Sequence, residues 1–210
     1  LRSDTVTRPT AEMLEAMSAA PVGDDVFSED PSVNRLQEQA ADLFGMEAAL
    51  FCPSGTMTNQ IAINVHTRPG DEVILHNQAH IYVYEGGGIM ANSGASVRLL
   101  GSPDGLISAA DVEASINPDD IHAARSRLVA LENTNNRCGG TCFDFTAIEA
   151  IGAITKRHQL GFHLDGARLF NALAETEQTA RDYGASFDSI SICLSKGLGA
   201  PVGSVLCGDR

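Results

Sequence analysis

Short apolar runs alternate with helical patterns along the whole chain. Val33, Leu36, Ala40, Leu43 and Phe44 recur at helical spacing, with Ser32 as the expected cap and Gly45 as the stop. Residues 48–52 then read as a buried strand, 56–65 as a helix and 72–75 as a strand. A short helix over 79–85 is closed by Gly86-Gly87-Gly88. Strands follow at 96–100 and 128–131, with one or two short helices between 108 and 125. A helix at 146–158, a strand at 161–164 and a helix at 176–183 come next. Strands at 189–194 and 204–207 complete the pattern.

Strands that alternate with helices imply an α/β fold, a mostly parallel sheet with helices on both faces. Ligands of such sheets gather at the carboxyl ends of the strands, so the polar residues just after each strand carry the functional information. No repeat, low-complexity stretch or linker divides the 210 residues. Fourteen Lys and Arg against 27 Asp and Glu leave a net charge of −13, which argues against a general nucleic-acid binder. No apolar run approaches the roughly 20 residues of a membrane span. Five scattered cysteines fit a reduced, cytoplasmic setting, with Cys52, Cys193 and Cys207 inside apolar runs as buried thiols. Cys138 and Cys142 flank a Gly-Gly pair, but no second ligand pair stands at zinc-site spacing, so no metal is expected.

Three strand ends carry unusual chemistry. Ser54, Gly55 and Thr56 open a helix, where free N–H groups, two hydroxyls and a glycine suit a phosphate. Ser and Thr are also ordinary helix caps. His163 and Asp165 share one face of a strand that ends in Gly166-Ala167-Arg168. A loop salt bridge between Asp165 and Arg168 is the simpler reading of that segment. Lys196 follows an apolar strand and precedes a glycine turn; it is either a solvated turn lysine or, if desolvated, an amine able to form a Schiff base. Phosphate cradle, carboxylate and amine together are the parts required by pyridoxal 5'-phosphate (PLP).

The chain resembles the low-specificity L-threonine aldolases, PLP enzymes of the aspartate-aminotransferase fold (fold type I). The resemblance lies in Leu1-Arg2-Ser3-Asp4-Thr5-Val6-Thr7-Arg8-Pro9, Pro21-Val22-Gly23-Asp24-Asp25-Val26, Leu131-Glu132-Asn133-Thr134, His163-Leu164-Asp165-Gly166-Ala167-Arg168 and Ser195-Lys196-Gly197-Leu198-Gly199-Ala200-Pro201-Val202-Gly203. It implies that Lys196 carries PLP, that Asp165 pairs with the ring nitrogen and that Ser54, Gly55 and Thr56 bind the phosphate. His80 would stack on the ring. Arg168 would lie near the PLP oxygen and the substrate carboxylate, Ser3 would help bind that carboxylate, and Glu85 would stand near the substrate. His122 would sit by the β-hydroxyl, so that His80, His122 or a water is the base.

The implied reaction is cleavage of L-threonine or L-allo-threonine to glycine and acetaldehyde. A β-eliminating lyase acting on a related amino acid is the alternative, as is a PLP-binding fragment without full activity. The resemblance further implies a homotetramer with active sites at a dimer interface. It assigns residues 1–210 to an N-terminal segment plus the PLP-binding large domain, with the C-terminal small domain absent. Two positions depart from the family pattern: Phe27 replaces an expected Tyr, and Asn135 an expected His.

Overall fold

A computed structural model describes residues 3–210, so Leu1 and Arg2 of the opening motif lie outside it. Seven strands form one sheet: β1 (Ala48–Cys52), β2 (Asp71–His76), β3 (Ser96–Leu100), β4 (Arg125–Glu132), β5 (Gly161–Gly166), β6 (Ser189–Cys193) and β7 (Ser204–Gly208). Their order is β1-β7-β6-β5-β4-β2-β3. β6, β5, β4, β2 and β3 run parallel, and β7 lies antiparallel between β6 and β1. β1 therefore points the same way as β6.

The helices are α1 (Ala11–Ala19), α2 (Pro31–Phe44), α3 (Gly55–His66), α4 (His80–Val83), α5 (Gly88–Ser93), α6 (Ala109–Ser115), α7 (Phe145–His158), α8 (Leu169–Glu175) and α9 (Ala180–Ser186). Strand alternation divides the core in two. Val73, Leu75, Leu128 and Ala130 pack with Ile63 of α3, Ile81 of α4 and Ile89 of α5. Ile74, Val129, Leu131, Phe162, Leu164 and Ile190 face the other way, toward Phe44 of α2, Ile148 and Ile151 of α7 and Tyr183 of α9. Both faces are covered, as a parallel sheet requires.

Most elements lie within a few residues of their expected places. Ser32 is a correction: Asp30 caps α2, its carboxylate accepting from the N–H groups of Ser32 and Val33, with Pro31 in the first turn. Asp accepts two donors there at once, and Pro tolerates a first-turn position because it has no N–H to satisfy. Gly45 closes α2 in the left-handed conformation, as expected. The helix expected at 176–183 divides differently: α8 ends at Glu175 and Thr179 starts α9 through a capping box with Asp182. Cys52, Cys193 and Cys207 are buried free thiols.

Candidate active site

Parallel β1, β2, β4, β5 and β6 all end at one edge of the sheet, and five functional segments follow from them. After β1, Ser54 caps α3, its hydroxyl accepting from the Met57 N–H at 3.2 Å. The N–H groups of Gly55 and Thr56 open the helix and have no intrahelical acceptor. A Cβ built on Gly55 would come within 2.8 Å of the Cys193 Sγ, so only glycine lets the helix start this close to β6. The result is an anion cradle of backbone donors at the positive end of a three-turn helix.

Asp165 is the penultimate residue of β5 and is buried. Both its oxygens accept: Oδ1 from the Ala167 N–H at 3.2 Å, Oδ2 from the Asn59 amide at 3.0 Å. Burial raises its pKa and the nearby Glu85 charge raises it further, whereas Lys196 and His80 oppose both. Lys196 follows β6 and is half-buried. Its backbone carbonyl accepts from the Thr7 hydroxyl at 2.6 Å, which ties the N-terminal arm to the site.

His80 begins α4 after β2. Its backbone N–H donates to Glu132 at 2.8 Å, and its Nδ1 lies 3.1 Å from Glu85 Oε1. The hydrogen bond to Glu85 raises the His80 pKa, against the opposing effect of burial. The buried Glu85 carboxylate is held from two further sides: Oε1 also accepts from Asn59 at 2.9 Å, and Oε2 accepts from Gln60 at 2.7 Å. Glu85 thus stands at the site in direct contact with His80. Glu132, at the end of β4, is pushed up to about 7 by burial first and by the Asp165 charge second.

Arg168 does not pair with Asp165. Its Nε lies 3.0 Å from Asp4 Oδ2 and its Nη2 2.7 Å from Asp4 Oδ1. Ser3 is exposed and its hydroxyl donates to Asp4 at 3.4 Å. Ser3, Asp4 and Arg168 thus form one group at the mouth of the site.

His122 stands apart from the other candidate residues within this chain. It lies three residues before β4, at the edge of the sheet opposite to Glu132, and its ring is 85% exposed and bonded to Asp120 at 3.0 Å. An eight-residue strand spans roughly 25 Å, so His122 of this chain does not join the other residues. Asn135 is buried and holds the following turn, with its Oδ1 accepting from the Cys138 N–H at 3.0 Å. Phe27 is 72% exposed.

Sequence reasoning missed Asp4, Asn59, Gln60 and Glu132. The polar alternation of β5 was the available signal, because a buried His and Asp on one strand face need partners from the covering helix. Among the described residues, every buried side-chain nitrogen and oxygen has a hydrogen-bond partner.

The family model described as beta-eliminating lyase matches residues 1–210. The chain is 46% identical over 211 residues to the low specificity L-threonine aldolase of Escherichia coli K12, covering all of this chain and 62% of that protein. It is 46% identical over 214 residues to low-specificity L-threonine aldolase 1 of Arabidopsis thaliana, covering all of this chain and 60% of that one. The chain therefore spans about three fifths of the length of these curated relatives. Among solved structures, Leishmania major threonine aldolase superposes with a TM-score of 0.86 at 29% identity, over 97% of this chain and 60% of that one.

Proposed function

The chain belongs to the beta-eliminating lyase family, and from that premise we propose that it cleaves L-threonine and L-allo-threonine to glycine and acetaldehyde with pyridoxal 5'-phosphate. One observation carries the reading: a helix N-terminus, a buried carboxylate and a half-buried lysine converge at one sheet edge. These donors fit PLP, which is anionic at its phosphate, basic at its ring nitrogen and electrophilic at its aldehyde. The glycine at the start of α3 fits as well, because any Cβ there would press on Cys193.

When bound, PLP supplies a protonated ring that accepts the electrons of the bond being broken. Asp165 holds the proton at the ring nitrogen; a carboxylate with both oxygens already accepting is suited to hold one more donor. Ser54 and the N–H groups of Gly55 and Thr56 bind the phosphate. Lys196 provides the amine that takes the aldehyde. His80 covers the ring, and because Glu85 accepts from its Nδ1, its Nε2 is left to take the proton of the substrate β-hydroxyl. Asp4 occupies one edge of Arg168, so Arg168 meets the substrate carboxylate with its remaining N–H groups. Ser3 lies beside that pair.

Residues 1–210 are read as the N-terminal segment and cofactor-binding large domain of the enzyme. A cytoplasmic homotetramer with sites at a dimer interface completes the proposal; among the described residues no helix is long and apolar enough to cross a membrane. Product analysis tests it. The protein with PLP and L-threonine is expected to release glycine and acetaldehyde in equal amounts. Release of 2-oxobutyrate instead would assign the chain to β-elimination and refute the aldolase reading.

A further inference from the structure

Strands buried on both faces are normally apolar on both. β5 and β6 depart from this. Phe162, Leu164, Ile190 and Ile192 join the core on one side. His163, Asp165, Ser189 and Ser191, all buried, turn to the other side, under α3. That helix answers with Thr58, whose hydroxyl lies 2.6 Å from that of Ser191, and with Asn59 and His66. A buried polar layer of this extent is costly unless each member is satisfied.

The hydrogen-bond directions within it can be assigned link by link. The Asn59 Nδ2 donates to Glu85 Oε1 at 2.9 Å and to Asp165 Oδ2 at 3.0 Å. Only the NH2 end of an amide can face two carboxylates, so Oδ1 is turned toward His163, whose Nε2 lies 3.2 Å away. His163 must therefore carry a proton on Nε2. Burial pushes the pKa of this ring down to about 3, so it is neutral and its Nδ1 is an acceptor. The Ser189 hydroxyl, 2.9 Å from Nδ1, donates to it and in turn accepts from the His66 Nε2 at 2.8 Å.

We infer that His163 is a positioning residue for Asp165: by donating to Asn59 it prevents that amide from turning over, and so keeps the NH2 on Asp165 and Glu85. Ser189 and His66 fix the tautomer that makes this possible. A turned amide would set its oxygen against two carboxylates and leave Asp165 buried without its side-chain donor. The inference rests on the assignment of Asp165 to the PLP ring nitrogen.

Two readings test it. Histidine side-chain 15N–1H NMR of the protein without PLP at pH 7 is expected to find His163 neutral with its proton on Nε2; a proton on Nδ1, or a charged ring, overturns the network. PLP affinity by absorbance titration is expected to fall about tenfold in His163→Leu. His163→Gln, which offers a donor to Asn59 and an acceptor to Ser189, should stay within about threefold of the unmodified protein. Equal affinity in His163→Leu and the unmodified protein, or equal loss in both variants at unchanged Tm, overturns the positioning role. If His163→Leu does not fold, Ser189→Ala decides: the His163 Nδ1 resonance must shift on loss of its donor, and an unmoved resonance refutes the direction assigned. Absence of PLP binding by the unmodified protein would instead refute the functional reading, while the tautomer result still judges the network.

Discussion

His80 and His163 are driven in opposite directions by their surroundings. The Glu85 hydrogen bond raises the His80 pKa, whereas burial lowers that of His163 to about 3. If His80 takes the β-hydroxyl proton, it must first be deprotonated, so kcat/KM rises with pH through its raised pKa. Glu85→Gln removes the stabilising charge, and the acid limb of the pH–rate profile should move to lower pH by about one unit. An unmoved limb would exclude His80 as the base. His163 leaves its mark on stability. Between about pH 6.5 and 3 the unfolded ring binds a proton that the folded ring does not, so stability falls as pH falls. Glu132, raised to about 7, acts with the opposite sign between about 4.5 and 7, because there the folded form holds the extra proton. The two offset each other between about pH 6.5 and 4.5; below that, carboxylates held down by hydrogen bonds, Asp30 and Glu113 among them, add to the acid loss, so His163 is isolated only by comparison with a variant that lacks it. The stability difference between the unmodified protein and His163→Gln should therefore change by about 1.4 kcal/mol per pH unit over this range, in favour of the variant as pH falls. Urea unfolding at stepped pH measures it; a pH-independent difference would mean that His163 is charged in the folded protein.

At the scale of elements, α3 does the most for the site. Its first turn offers the anion cradle, its second places Asn59 and Gln60 under Glu85, and His66 closes its last turn. The helix start was legible in Ser54-Gly55-Thr56, but as a phosphate cradle only in company with Asp165 and Lys196, because Ser and Thr are also ordinary caps. Asn59 and Gln60 were not, since polar residues inside a helix read as a solvated face until the partner strand is known. His163 and Asp165 were correctly placed on one strand face by alternation alone. α1 escaped notice because none of its residues is buried and its apolar positions form no strong stripe. Gly45, by contrast, was visible as a helix stop, and its structure bears this out with φ of 65°. Gly45→Ala should destabilise the protein by about 1–2 kcal/mol, from the left-handed conformation alone. Its new Cβ would also lie 2.8 Å from the Arg181 guanidinium, the far end of a side chain that can move aside. Thermal unfolding checks this; an unchanged Tm would mean that α2 ends without a left-handed residue in solution.

The whole molecule is a device for bringing distant segments to one edge. Asp4 and Arg168 stand 164 residues apart, Thr7 and Lys196 189 apart, and each pair is hydrogen bonded. The parallel arrangement explains this, because strands that run the same way deliver their following loops to the same side. It also explains why His122 fails to join them: it precedes its strand instead of following it. Motif resemblance carries residue identity but not the direction of the strand beside it, so this placement required the register of the sheet. The central claim is that these strand ends form a PLP site with Lys196 as its amine. Borohydride reduction of the protein after incubation with PLP, followed by peptide mapping, tests that claim most directly. The account predicts a single pyridoxyl label on Lys196, lost in Lys196→Ala; a label on Lys156, the chain's other lysine, or none on Lys196, would contradict it.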